Sequence, residues 1–369
     1  MVEIIVCITI FIKIYFIYFL RVSKNIRLSI SSIIIYFYFS NLYLYWTGNG
    51  VPVSDVIFKF ILISLFIFIT LIPYFIFLVS KFTYFLKNKI QRIIFFSTSI
   101  LVSDILSSFL IGYILQKNKG DVIFDFSYVS PGYALAYTPF ANLVNIYYVF
   151  GLTFFIAIFI AVTYEYKLKY SYLYLFIFSI LFYFVSKDDI KYNYIPKENI
   201  LILGENNPIS SLPNIELRRY NYILDNHYYP TNDRKVNITS KLYDKNLNVV
   251  NEVSKYFLGP MGEYYPHKLM SLLKILNIKG EMTGKIESNH VQDPVLFTTV
   301  SQKFIVLICA DAWSYVSIKR YSTISDSLDY IILQRDRRTF LNSTIQEANM
   351  KLYKAVVANY FNKPVVDVR

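Results

Sequence analysis

The chain has 369 residues, 55% of them hydrophobic, 19% aromatic and 17% charged, with a formal net charge of +12. Soluble domains are roughly a quarter charged, so the composition excludes an ordinary soluble protein, and its apolar content excludes a disordered one. Two Cys exclude a disulfide scaffold and a four-Cys zinc module, and three His (His227, His267, His290) are too few for a histidine metal site, so no metal or cofactor is expected.

The charge is unevenly placed. Residues 1–186 hold 13 Lys and Arg against 6 Asp and Glu, whereas 187–369 hold 24 against 19. The first part is almost all long apolar segments, and reads as a membrane domain (1–186) ahead of a domain of ordinary composition (187–369). A bilayer core of about 30 Å needs roughly 20 mostly apolar residues per helix. Six segments qualify, approximately 3–20, 28–46, 56–79, 93–115, 139–163 and 171–186. The first lacks the basic start and small-residue cleavage site of a signal peptide, and so reads as a helix.

Loop charge sets the orientation. Arg21, Lys24 and Arg27, then Lys81, Lys87, Lys89 and Arg92, then Lys167 and Lys169 occupy alternate loops, while the other loops hold Lys117 and Lys119, offset by Asp121 and Asp125. This positive-inside bias predicts an outer N-terminus and, after six crossings, an outer second domain. The basicity is then a topology signal, and no nucleic-acid partner is expected. Lys13, Lys59 and Asp104 fall in or near the spans. The two lysines read as snorkelling or as facing neighbouring helices. The loop 120–139 contains Phe124, Phe126, Tyr128, Pro131, Gly132 and Tyr133. It reads either as an interfacial segment anchored by aromatics or as a lid or lipid-entry element beside a site in the outer domain.

From 187 onward short apolar runs alternate with turns. Strands are expected at 200–203, 236–243, 295–300, 304–309 and 328–333, with a turn at 244–248 and a helix over 343–360. Such interleaving predicts a layered α/β domain. Three places carry chemistry. Glu205 stands just beyond the strand 200–203, where the plain alternative is a solvated loop carboxylate. Lys255 and Glu263 frame the run Lys255-Tyr-Phe-Leu258-Gly-Pro260-Met-Gly262-Glu263-Tyr-Tyr-Pro266, whose two Gly and two Pro fix a non-helical backbone. A structural turn with incidental charges is the alternative there. Cys309 ends the apolar run 304–309 and is followed by Ala-Asp-Ala-Trp. It is either a small buried hydrophobe or a thiol exposed at a strand-to-loop elbow.

Together Glu205, Lys255 and Cys309 resemble the nitrilase, or carbon–nitrogen hydrolase, superfamily, whose members use Glu, Lys and Cys in that chain order. The middle run, Lys-x-x-Leu-x-Pro-x-Gly-Glu-Tyr-x-Pro, is similar to the signature of the apolipoprotein N-acyltransferase family. The resemblance spans 198–369, through Leu242-Tyr-Asp-Lys, Asp329-Tyr-Ile-Ile-Leu and the end of the last helix, and extends weakly over 138–155. It implies an N-terminal helical membrane domain and an αββα nitrilase-like sandwich on the extracytoplasmic side of a bacterial inner membrane. It also implies Cys309 as the nucleophile, Glu205 as the general base, Lys255 as the oxyanion stabiliser and Glu263 as a supporting carboxylate. The implied partners are the membrane, a phospholipid acyl donor and a diacylated lipoprotein whose N-terminal amine is the acceptor. A membrane-tethered amidase with another substrate and a non-catalytic membrane interaction protein are the competing readings.

The chain departs from the family pattern at Gly204, where Pro is usual, and at Ala310 and Asp311, where Tyr and Glu are usual. It has one fewer expected helix before the domain. It is also expected to lack the last strands and the C-terminal membrane helix, stopping just after the helix 343–360.

Overall fold

In the computed structural model the described residues are 1–46, 85–114, 116, 125–203, 209, 213, 217, 219–230, 236–257, 267, 286–287, 293–334 and 344–368. A helical region comes first: α1 (Val2–Val22), α2 (Ile26–Trp46), α3 (Lys89–Ile114), α4 (Val144–Glu165) and α5 (Ser171–Ser186). The expected segments at 3–20, 28–46, 93–115, 139–163 and 171–186 coincide with these helices, and the segment 56–79 lies outside the described residues. Among the described residues three runs are long and apolar enough to cross a membrane: Val2–Val22, Lys89–Ile114 and Pro139–Glu165. Their neighbours α2 and α5 are apolar as well. Outward faces stay apolar, with Val102, Leu106, Phe109 and Tyr113 exposed on α3 and Tyr174, Ile177, Leu181 and Phe184 exposed on α5.

One buried acid ties three helix ends. Glu165, at the end of α4, pairs with Arg21 at the end of α1 and with Arg92 at the start of α3, the latter at 2.6 Å. All three helices therefore share this basic end of the bundle. At the other end Glu3 of α1 pairs with Lys351 at 3.1 Å, so the C-terminal α/β region attaches opposite the basic end.

That region contains two sheets. In the first, β1 (Ile200–Leu203) pairs parallel with β2 (Tyr222–Pro230), which pairs antiparallel with β3 (Val236–Asp244), which pairs antiparallel with β4 (Val249–Ser254); β5 (Ile286–Glu287) joins β3. In the second, β6 (Phe297–Thr298) is antiparallel to β7 (Lys303–Ile308), and β7, β8 (Tyr330–Gln334) and β9 (Val365–Val368) run parallel. Between β7 and β8 lie a 3-10 turn (Cys309–Trp313), the short helix α6 (Tyr315–Arg320) and a second 3-10 turn (Tyr321–Ser327), and α7 (Thr344–Phe361) precedes β9.

Period-two alternation explains the layers. Phe304, Val306, Ile308, Tyr330 and Ile332 face Leu224, Ile238, Leu242 and Val253 of the first sheet. Their neighbours Ile305, Leu307, Ile331 and Leu333 face α7 and the helical region. Parallel strands buried on both faces read as unbroken apolar runs, which is why β7 and β8 stood out in the sequence. The single core containing α7 continues into α1, α4 and the segment 125–137.

Several expectations are corrected. The stretch 125–138 is neither an interfacial anchor nor an outer lid: Phe126, Tyr133, Leu135 and Ala136 are buried between helices and sheet. Of the two readings of Lys13, the inward one holds: it faces Tyr36 of the neighbouring α2, 5.8 Å from that ring's centroid, rather than snorkelling. It is 3% exposed and donates to the carbonyls of Val129 and Ser130, each at 3.1 Å. Asp104 accepts from Ser130 Oγ and Thr153 Oγ1, each at 2.6 Å. Burial without water obliges both charged groups to find such partners. The fifth segment opens with a 3-10 turn, Pro139–Leu143, and α4 is kinked where Tyr148 takes φ +55. A strand, β9, does follow the last helix, because Val365 and Val366 pair with Ile331 and Ile332. The expected strand 295–300 is reduced to Phe297–Thr298.

Gly132 shows how tightly the segment 125–138 is held. A Cβ there would stand 2.1 Å from the carbonyl oxygen of Val149 and 2.9 Å from the amide nitrogen of Thr153, both backbone atoms. Overpacking a core typically costs about 1–3 kcal/mol, and backbone atoms cannot rotate aside. Gly132→Ala should lower the thermal midpoint in detergent by several degrees. Gly151→Ala, whose Cβ would meet nothing closer than 3.3 Å, should change it far less. Equal midpoints for the two variants would contradict this packing.

Candidate active site

In the first sheet β1 and β4 run in the same direction, so their C-terminal ends open at one edge. β1 ends at Leu203, two residues before Glu205; Glu205 and Glu263 themselves lie outside the described residues. Lys255 follows β4 directly. Its backbone N–H donates to the carbonyl of Ile238 at 2.8 Å, which prolongs the pairing with β3 by one residue. The side chain is almost fully enclosed, with the residue 1% exposed. Tyr256 and Phe257 then turn into the core as an edge-to-face pair with ring centroids 4.5 Å apart.

Cys309 follows β7 at the point where the strand gives way to the 3-10 turn, and its φ is +49. A non-glycine residue in that region is strained by about 1–3 kcal/mol and persists only where its surroundings dictate it. Sharp strand-to-helix turns of this kind are how nucleophiles are presented at sheet edges. Cys309 is half-buried and touches both hydrophobic cores. The backbone turns sharply at Cys309 while its side chain packs against both cores, so the residue has features of both readings.

Asp311 joins the two strand ends. Its carboxylate accepts the backbone N–H of Tyr256 at 3.2 Å through one oxygen and that of Phe257 at 2.8 Å through the other. The loop after Lys255 and the loop after Cys309 are thereby held together, and both oxygens are committed to holding them. The residue is 5% exposed, and burial pushes its carboxyl up to about 6 against the opposing pull of the Phe257 amide and the Lys255 ammonium. Arg320 lies over the Tyr256 ring, 3.5 Å from its centroid, on the same side of the loop. In the sequence Asp311 stood out only as a departure from the family pattern, yet it fastens this site.

Of the four candidate residues, the fold thus brings the backbone positions of Lys255 and Cys309 to one place. Chemically the two tied loops carry a thiol on a strained turn and an enclosed lysine, the residue types that attack on a carbonyl whose oxygen gains negative charge calls for. Among the described residues no three His, Cys, Asp or Glu gather in a way that would hold a metal ion.

No family model matches the chain, and no curated protein matches it. Among solved structures, the glutamine-dependent NAD+ synthetase from Acinetobacter baumannii is similar over 37% of this chain and 26% of its own, at 14% identity and a TM-score of 0.26. An amidase of the nitrilase superfamily from Nesterenkonia is similar over 34% of this chain and 40% of its own, at 13% identity and a TM-score of 0.25. Another structure of a Nesterenkonia amidase, with acrylamide added at its active-site cysteine, is similar over 37% and 53%, at 11% identity and a TM-score of 0.26. The chain therefore spans between a quarter and about half of the length of these proteins.

The buried carboxyl has a consequence for stability. An Asp that titrates near 6 when folded and near 3.8 when unfolded gives the folded state more bound protons between those values. Its contribution therefore disfavours folding above pH 6 and is relieved as pH falls from about 6 to about 4, by at most about 3 kcal/mol. Asp125, whose carboxyl burial also pushes up to about 6, acts in the same direction. Unfolding midpoints measured at pH 7 and pH 5 should differ less in Asp311→Asn than in the wild type. An unchanged difference would contradict this account of Asp311.

Proposed function

We propose that this chain is a membrane-bound cysteine acyltransferase of the apolipoprotein N-acyltransferase type, with Cys309 as the nucleophile. One observation carries the reading: Cys309 sits on a strained turn that a buried carboxylate fastens to the loop of Lys255. The Lys-x-x-Leu-x-Pro-x-Gly-Glu-Tyr-x-Pro run beginning at Lys255 supports the more specific assignment. Long apolar helices with apolar outward faces support a site that draws on substrates dissolved in a bilayer.

In the first half-reaction the Cys309 Sγ attacks the ester carbonyl carbon of a phospholipid. The thiol proton passes to Glu205 and from there to the departing lysophospholipid oxygen, as the C–O bond breaks and a thioester remains. Lys255 stabilises the tetrahedral oxyanion, and a well-placed donor of this kind is worth on the order of 3 kcal/mol. In the second half the amine of a diacylglyceryl-cysteine attacks the thioester carbonyl. A C–N bond forms, the C–S bond breaks, and the amine proton returns through the same carboxylate to the thiolate. Glu263 orients Lys255. Water must be kept from the thioester until the amine arrives, and a thiol packed against two hydrophobic cores favours that. The positive-inside arrangement would put this chemistry on the extracytoplasmic side of a bacterial inner membrane.

The test is incubation of the purified protein with phospholipid and a diacylated lipopeptide, followed by mass spectrometry of the peptide. Wild type should yield the triacylated peptide. Cys309→Ala should yield none, and Lys255→Ala should react about a hundred- to a thousandfold more slowly. Triacylation by Cys309→Ala would overturn the assignment of the nucleophile. A thioester that is hydrolysed without transfer to the amine would favour the amidase reading instead.

A further inference from the structure

The turn that carries Cys309 is held from a second side, by the helical region. Asp125 is fully buried, and its carboxylate accepts from Ser314 Oγ at 2.7 Å and from the backbone N–H groups of Tyr315 and Val316, each at 2.9 Å. Ser127 Oγ donates to the carbonyl of Trp313 at 2.5 Å and in turn meets the Tyr133 hydroxyl at 3.1 Å. The Tyr148 hydroxyl points at the carbonyl of Ala312, 3.4 Å away, and its ring stacks on Tyr315 with centroids 5.4 Å apart. The backbone from Ala312 to Val316 is thus fixed peptide by peptide by three side chains more than 160 residues upstream.

Capping of α6 alone does not require this. Ser314 already caps that helix, its Oγ accepting from Ser317 N at 3.3 Å. The extra partners instead immobilise the turn between the helix and Cys309. Strain appears on both sides of the contact, with φ +49 at Cys309 and +55 at Tyr148, and strained residues of this kind cluster where function over-determines the backbone. Behind the contact, the segment is anchored through Ser130 to Asp104, through Gly132 N to Thr153 at 2.9 Å, and through Lys13 to the carbonyls of Val129 and Ser130.

We propose that Asp125, Ser127 and Tyr148 are positioning residues for the nucleophile, so that the geometry of the Cys309 turn is set by the helical region. The inference rests on Cys309 being the nucleophile, and names the residues that hold it in a reactive pose. It follows that the domain bearing Cys309 does not form its site independently of the helices. A misplacement of about 1 Å costs catalysis up to about a hundredfold, so loss of one tether should be visible in rate without loss of the fold.

The test uses the full chain in phospholipid nanodiscs with Cys7→Ser, which leaves Cys309 as the sole thiol. Alkylation of Cys309 by iodoacetamide across pH 5–9, acyl transfer kinetics and thermal unfolding are measured for Asp125→Asn, Ser127→Ala and Tyr148→Phe. The last two remove one hydroxyl each and decide the matter if Asp125→Asn does not fold. The expected result is a thermal midpoint within a few degrees of wild type, with alkylation slowed and kcat lowered about ten- to a hundredfold and KM unchanged. Folded variants with wild-type alkylation and kcat would overturn the proposal, as would a loss of stability with no loss of either rate. If wild type shows no acyl transfer while the variants still slow alkylation, the proposed function falls and the positioning role stands.

Discussion

A carboxylate with nowhere to go but two backbone amides organises this protein. Asp311 is buried two residues beyond Cys309, where ionisation is costly unless hydrogen-bond donors replace water. The donors it finds are the amides of Tyr256 and Phe257, more than fifty residues earlier in the chain. Satisfying that one charge closes the loop after β4 onto the loop after β7. Everything chemically suggestive about the site follows from this closure. Lys255 is drawn to the mouth of the second sheet, and the positive φ at Cys309 is held against its strain.

The same logic recurs in the helical region, where the buried charged groups Asp104 and Lys13 each find hydrogen-bond partners. Asp104, Lys13, Ser130 and Thr153 gather in the middle of the bundle and pin a buried segment of short 3-10 turns, Ser127–Val129 and Pro131–Leu135, against α1, α3 and α4. Backbone that leaves an α-helix while buried among apolar side chains needs such partners, because apolar surroundings supply none. The pinned segment then offers Asp125 and Ser127 to the turn after Cys309. Two regions that the composition separates so sharply therefore meet through hydrogen bonds as well as through a shared apolar core. In the proposed reaction this union has a purpose, since a site fed by lipids would have to stay registered to helices that would lie among them.

How much of this was legible in the sequence depended on whether a signal was local. Apolar run length revealed five of the described helices, and the unbroken runs of β7 and β8 announced strands covered on both faces. The Gly- and Pro-rich run after Lys255 and the apolar run ending at Cys309 drew attention to two loops that the fold ties together. What the sequence hid was long-range. β2 and β9 carry mixed residues and exist because β1, β3 and β8 present edges to them. Asp125 read as one of two acids offsetting loop lysines, and nothing near it in the chain hints that its partners lie at Ser314 to Val316. Asp311 read as a departure from a motif because a motif records residue types, whereas its role comes from amides that any residue type would supply. Its one visible sign was an acid placed immediately after an apolar strand.

The proposed chemistry requires that Cys309 become acylated by lipid. Intact-protein mass spectrometry of the full chain, purified in detergent and then placed in phospholipid nanodiscs without any acceptor, reads this directly. It should show the mass of one acyl chain added, located on the peptide containing Cys309 and removed by neutral hydroxylamine as a thioester. A folded protein that gains no acyl mass, or one whose acyl group is found elsewhere, would contradict it.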